Sequence, residues 1–170
     1  MPHITFVQVG EYSNQNHIHT PLVGPNVINL LDKTDIRQLI RLVYHSIGCI
    51  GGVSFLMHLA AAVETKPGYP EARPCVVVAG AREPLQWEAY PNHQYIHRAS
   101  CLPCSGHLGG GCWKSRTVPL HDGDRQDKSL CELPVDDGYG QFIPKCMDMI
   151  TVNDVVSAIN NYMMYWEYKR

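Results

Sequence analysis

Three observations predict an α/β fold built on a parallel sheet. Short β-branched or apolar runs alternate with amphipathic helical segments along the first eighty residues. The run C-V-V-V-A at 75–79 is apolar without interruption, which suits a strand buried on both faces. The order strand, helix, strand, helix, strand is the pattern of βαβ units, in which each helix covers the sheet it crosses.

The elements follow in order. Ile4 to Val9 (I-T-F-V-Q-V) is a strand ended by Gly10. Residues 11–25 are polar, with Pro21, Gly24 and Pro25, and form a loop. Val27 to Leu30 is a second strand. Thr34 then offers a helix N-cap, and Asp35 in the first turn favours the helix dipole. Ile36, Leu39, Ile40, Val43 and Tyr44 share one face, so 35–46 is an amphipathic helix. Gly48 to Gly52 is a short strand, and Ser54 precedes the helix-forming run F-L-M-H-L-A-A-A-V. A loop with Pro67, Gly68 and Pro70 leads into the strand Cys75 to Ala79. Residues 98–146 are rich in Gly and Cys and show little periodicity. A C-terminal helix over 152–168, capped by Thr151 or Asn153, puts Val155, Val156, Ile159 and Tyr162 on one face.

A chain of 170 residues is most simply one domain, and 45% hydrophobic with 18% charged residues is a globular composition. A net charge of −2 argues against a general nucleic-acid binder, which needs a basic excess to neutralise phosphates. No apolar run reaches the length of a membrane span, and the first residues lack the basic and apolar regions of a signal peptide. A cytoplasmic, reducing location is the expectation.

In parallel sheets ligands bind beyond the carboxyl ends of the strands, where the next helices start. The segment G-G-V-S-F-L-M-H-L, residues 51–59, has that geometry. Glycines end a strand, Ser54 caps a helix, and the free N–H groups of the first turn suit a phosphate. The plain alternative is an ordinary turn with an ordinary serine cap, and a packed, hydrogen-bonded role for His58. Glu11, directly after the first strand, could take ribose hydroxyls. Lys33 and Thr34, ahead of the first helix, could meet a phosphate or a base. Arg82, Glu83, Trp87 and Glu88 gather after the fourth strand, facing either a ligand or a neighbouring domain.

The runs F-V-Q-V-G, K-T-D-I-R-Q-L-I-R-L-V, S-F-L-M-H-L-A-A-A-V, P-C-V-V-V-A-G-A-R-E-P and K-C-M-D-M-I-T-V-N-D-V, in that order, resemble glycosyltransferase family 9. This is the family of ADP-heptose lipopolysaccharide heptosyltransferases. The resemblance spans about residues 4–160 and implies two Rossmann-like halves facing a cleft, of which this chain matches the C-terminal, nucleotide-sugar-binding half. It implies metal-independent, inverting hexosyl or heptosyl transfer from an ADP-sugar to a glycan acceptor, aided by a general base. Carried over, Ser54, Phe55, Leu56, Met57 and His58 lie at the diphosphate, Glu11 at the nucleoside, and Lys33 and Thr34 in the nucleotide pocket. Where the family has an Asp, a Ser or Thr, and a Gly before its Met-His-Leu-Ala run, this sequence has Val53, Ser54 and Phe55. The acceptor half with the usual base has no counterpart here, so the sequence reads as a truncated, donor-binding part that is not expected to turn over alone. The exposed face left by the missing half could bury itself in a homodimer. A non-catalytic nucleotide- or anion-binding module and a zinc-stabilised interaction domain are the competing readings.

The seven cysteines form two populations. Cys49 and Cys75 lie in apolar runs and read as small buried hydrophobes. Cys101, Cys104, Cys112, Cys131 and Cys146 begin with a C-x2-C knuckle, and four of the five could hold a structural zinc ion, with His107 as a substitute ligand. A second C-x2-C is lacking, so zinc, disulfides and free thiols all stay open. Redox chemistry is disfavoured, because Pro103 sits inside the motif and glycines follow it rather than a helix.

Overall fold

A computed structural model describes residues 3–12, 19–106 and 110–168. The chain divides into two compact units, Met1–His45 and Ser46–Arg170. The fold is α/β with parallel sheets.

The first unit holds β1 (Phe6–Gln8), β2 (Val27–Asn29) and α1 (Ile36–His45). β1 and β2 pair in parallel, Phe6 opposite Val27 and Gln8 opposite Asn29. β1 is shorter than the expected 4–9 run. The cap of α1 also differs from expectation, since it is Asp35 rather than Thr34. Asp35 Oδ1 accepts from the Gln38 N–H at 2.7 Å, and Gln38 Oε1 accepts from the Asp35 N–H at 2.8 Å. This reciprocal pair is a capping box, which satisfies two orphan amides at once. Of the apolar face, Val43 is buried, while Ile36 and Ile40 stay exposed.

The second unit is centred on a three-stranded parallel sheet in the order β3 (Cys49–Gly52), β4 (Cys75–Gly80), β5 (His93–His97). The central strand β4 buries Cys75, Val76 and Val77, as its unbroken apolar run requires. α2 (Phe55–Ala62) packs against it through Met57 and Ala60, joined by Cys49, Val53, Ala79 and Tyr95. Cys75 lies opposite Cys49 in the ladder, and burial pushes its thiol up to about 12. Cys75 is therefore the small buried residue the sequence suggests, while Cys49 is half-buried and packs against that core. β5 is not singled out by the sequence, since in H-Q-Y-I-H the strand-favouring pair Tyr95 and Ile96 is too short a run among polar residues; β4's free edge pairs it.

Beyond β5 come two 3₁₀ turns (Pro103–Ser105 and Arg125–Lys128), the antiparallel hairpin β6 (Pro134–Asp136) and β7 (Phe142–Pro144), and α4 (Lys145–Asp148). α3 (Leu85–Glu88) is one turn between β4 and β5. α5 (Val152–Tyr168) is capped by Thr151, whose Oγ1 accepts from the Asp154 N–H at 3.2 Å while Asp154 Oδ2 accepts from the Thr151 N–H at 2.7 Å. Its inward residues are Ala158, Val155, Ile159 and Tyr162; Val156, expected among them, is 37% exposed. α5 is tied to β5 by Gln94 Nε2 donating to Ala158 O (3.2 Å) and by the Arg98–Asp154 ion pair (2.9 Å).

Candidate functional site

The end of β3 runs through Gly51 and Gly52 into α2, at the carboxyl edge of the sheet. Ser54 stands at the N-cap with an extended backbone (φ −157°, ψ −179°), but its hydroxyl makes no capping bond. The expectation of a serine cap is thus right in position and wrong in bonding. No acidic side chain lies in the first turn, so the turn carries the positive end of the helix dipole uncompensated. Ser54 and Phe55 are exposed and Leu56 is half-buried. Met57 is 1% exposed and receives the Tyr95 hydroxyl on its sulfur at 2.8 Å, so its side chain serves the core. Its N–H donates to Ser54 O at 3.1 Å. His58 is hydrogen-bonded, as its plain alternative reading has it, but exposed rather than packed: Nδ1 lies 2.8 Å from the Tyr90 hydroxyl, with the rings edge to face.

Tyr90 continues to His93, and His93 stacks on Tyr95. Burial first, then the neighbouring His58 side chain, hold the His93 imidazole below its ordinary value. The unfolded chain therefore binds a proton that the folded chain resists. The contribution is complete above the unfolded pKa of about 6.5 and is lost as pH falls through it. The carboxyls of Asp122, Asp127 and Asp154 are also depressed, but they act only near pH 4 and below. Urea midpoints are therefore expected to be lower at pH 5.5 than at pH 7.5, and His93→Gln should shrink that difference. Equal pH dependence in the variant would refute the assignment.

In the first unit, Glu11 follows β1, and Lys33 and Thr34 follow β2. Because the strands are parallel, all three lie at the carboxyl edge of that pair. The Asp32 N–H donates to Gly10 O (2.9 Å), and Asp32 Oδ1 accepts from the Tyr12 N–H (2.8 Å), which closes the edge. Lys33 Nζ reaches Asn29 O at 3.5 Å.

At the end of β4, the loop through Cys112 is laid on residues 81–83. The Cys112 N–H donates to Ala81 O (3.4 Å) and the Trp113 N–H to Arg82 O (2.9 Å). Arg82 and Glu83 form an ion pair, and Trp113 meets Trp87 edge to face at 5.1 Å. The sequence points to Arg82, Glu83 and Trp87, but not to Trp113, which lies 26 residues after Trp87 in the chain.

All seven thiols are free, and among the described residues no three His, Cys, Asp or Glu side chains are placed to hold a metal ion. Even so, Cys112 and Cys131 each act electrostatically on both Cys104 and Cys146. Burial, then Cys112 and Cys131, push the Cys104 thiol up. The Cys146 thiol is pushed up mainly by burial, partly offset by its bond with the Ala81 amide, and further by Cys112 and Cys131. Backbone bonds explain the convergence: Gly111 N–H to Ser105 O, Cys112 N–H to Ala81 O, Cys131 N–H to Arg116 O and Lys145 N–H to Leu133 O. Cys101 is exposed. His107 lies outside the described residues.

No helix among the described residues is long and apolar enough to cross a membrane. A search of curated proteins and a search of solved structures gave no match. The family model for glycosyltransferase family 9 (heptosyltransferase) matches residues 11–112, which span β2, both long helices of the βαβ region, the β3–β4–β5 sheet and the Trp113-bearing loop up to Cys112. On that match, over more than half of its length, the chain belongs to glycosyltransferase family 9, the heptosyltransferase family.

Proposed function

We propose that this chain binds the donor in sugar transfer, with the start of α2 taking the diphosphate of a nucleotide sugar. The carrying observation is the turn itself. It sits at the carboxyl edge of a parallel sheet, its first-turn dipole is uncompensated, and its Ser54 hydroxyl is not spent on capping. Backbone amides at Phe55 and Leu56 and the Ser54 hydroxyl would meet phosphate oxygens, with His58 beside them. ADP is the favoured nucleotide. For the first unit taken by itself, Glu11 would accept from ribose hydroxyls, and Lys33 and Thr34 would meet a base or phosphate. No residue is assigned as the general base.

Calorimetric titration of the full chain with ADP, UDP and GDP tests this. ADP should bind, and Ser54→Glu, which sets a carboxylate against the diphosphate, should weaken it about tenfold or more. Glu11→Ala reads the nucleoside assignment separately. Absence of heat with all three nucleotides would sink the reading.

As a second element we propose a structural metal held by Cys104, Cys112, Cys131 and Cys146, which would have to draw these side chains together from their present placement; its support is that Cys112 and Cys131 both act on Cys104 and Cys146. Four thiolates suit zinc, and binding it would add folding free energy to a segment poor in regular structure. Metal analysis of the purified chain should find one ion per chain, retained in Cys101→Ser and lost in Cys131→Ser. A folded, metal-free chain would overturn it. Self-association as a homodimer is a separate proposal, read by light scattering.

A further inference from the structure

We propose that Trp87 and Trp113 form a stacking site for a pyranose ring at the carboxyl end of β4. The inference deepens the sugar-transfer reading and rests on it for the ligand class.

Trp113 has φ of 59°, in the left-handed region that a bulky aromatic residue rarely adopts. The surrounding structure holds it there. The Trp113 and Cys112 amides donate to Arg82 O and Ala81 O. Next to them, Gly111 has φ of +75°, and a Cβ placed on it would stand 2.4 Å from Arg82 O. Only glycine allows the loop to lie this close to the end of β4. Such strain in a core residue would be offset by burial, but here it is not. Trp113 is 48% exposed and its neighbour Trp87 is 70% exposed. Two large indoles are therefore held together in water by a loop that is built tightly beneath them, a combination that marks a binding surface rather than a packing solution.

The rings form a corner, their planes meeting at 71° with centroids 5.1 Å apart. A pyranose ring fits such a corner with its apolar C–H face on one indole and its edge toward the other, leaving its hydroxyls to polar groups. A planar base could occupy the corner in the same way, so competition by adenosine is the discriminating readout. The Arg82–Glu83 ion pair lies on the same backbone stretch, and the Arg82 side chain is 44% exposed. It offers a donor and an acceptor to the ring hydroxyls, the few polar groups that orient a ligand in a mostly apolar site.

Saturation-transfer NMR on the full chain tests this with the methyl glycosides of D-glucose, D-galactose and D-mannose as probes. Transfer to the ring C–H protons of at least one glycoside is expected. It should fall about fivefold or more in Trp87→Ala and persist within about twofold in Trp87→Phe, which keeps an aromatic face. Far-UV circular dichroism checks that both variants fold; Trp87 lies on one exposed turn, so they should. No transfer to any of the three glycosides, or equal transfer in Trp87→Ala, would overturn the proposal, as would displacement of the glycosides by adenosine. An ADP titration of the same samples separates the two readings: lost nucleotide binding with intact glycoside transfer removes the donor reading alone, and the reverse removes this one alone.

Discussion

Arg73→Ala is expected to destabilise the fold by about 3–5 kcal/mol, at the upper end of what one side-chain truncation does. Arg73 is 3% exposed and lies under the carboxyl end of α2. Its Nη1 donates to Val63 O at 2.8 Å and to Ala60 O at 3.4 Å, and its Nη2 donates to Glu64 O at 2.9 Å. The last carbonyls of a helix have no partner within it, and they carry the negative end of the dipole. A buried cation satisfies both needs. Burial lowers the Arg73 pKa, though a guanidinium still keeps its proton at any ordinary pH. Removing it strands one buried and two part-buried carbonyls and opens a void, and a typical domain has only about 5–15 kcal/mol of stability to lose. Urea unfolding followed by circular dichroism measures the change. Arg73→Lys keeps the charge but not the planar fork, so it should recover only part of the loss. A change under about 1 kcal/mol in Arg73→Ala would show that the carbonyls find water instead. Because Arg73 anchors one end of α2, the same variant should also weaken any ligand held at the other end.

Gly111→Ala should cost about 3 kcal/mol, against about 1 kcal/mol for Gly123→Ala. Both glycines have left-handed φ, +75° and +83°, so both carry the backbone penalty of an added Cβ. They differ in what the Cβ meets. At Gly123 nothing lies within 4 Å, whereas at Gly111 the backbone oxygen of Arg82 is 2.4 Å away and its carbon 3.0 Å. A carbonyl of the chain directly after β4 cannot yield as a flexible side chain would, so the loop must lift. Lifting it breaks the Cys112 and Trp113 backbone bonds and separates Trp113 from Trp87. The second readout is therefore local: indole fluorescence should shift in Gly111→Ala and not in Gly123→Ala. Equal losses in the two variants would mean that the close approach does not hold the loop.

Much of the fold was legible because it is written in short-range chemistry. The run at 75–79 can satisfy its apolar side chains only when covered on both faces, which makes it the central strand. The cap of α5 was narrowed to Thr151 or Asn153 in the same way, and it is Thr151, whose hydroxyl and the Asp154 carboxylate three residues on bond each other's amides. Where two neighbours could do the same job, local reading stalled. Thr34 and Asp35 are both competent caps, and the choice fell to Asp35 because Gln38 returns its bond. At α2, Ser54 has the right position and an unspent hydroxyl, a difference of side-chain rotation that no pattern encodes.

The candidate site was legible to the extent that it follows from topology. A glycine-ended strand feeding a helix marks the carboxyl edge of a parallel sheet, so residues 51–58 could be singled out directly. Met57 shows the limit of that inference: the same segment turns one side chain fully into the core, because helical periodicity alternates core and rim within four residues. The sequence alone thus determined the α/β class, the family resemblance, the positions of the principal helices and the edge of the sheet where a ligand should bind. Tertiary structure alone decided that Arg73 closes α2, that β5 is a strand, that Cys112 and Cys131 come to act on Cys104 and Cys146, and that Trp113 stands beside Trp87. The physical reason is common to all four. Each depends on which distant backbone groups and side chains the fold brings within a few ångströms, whereas periodicity and capping act within a few residues of chain.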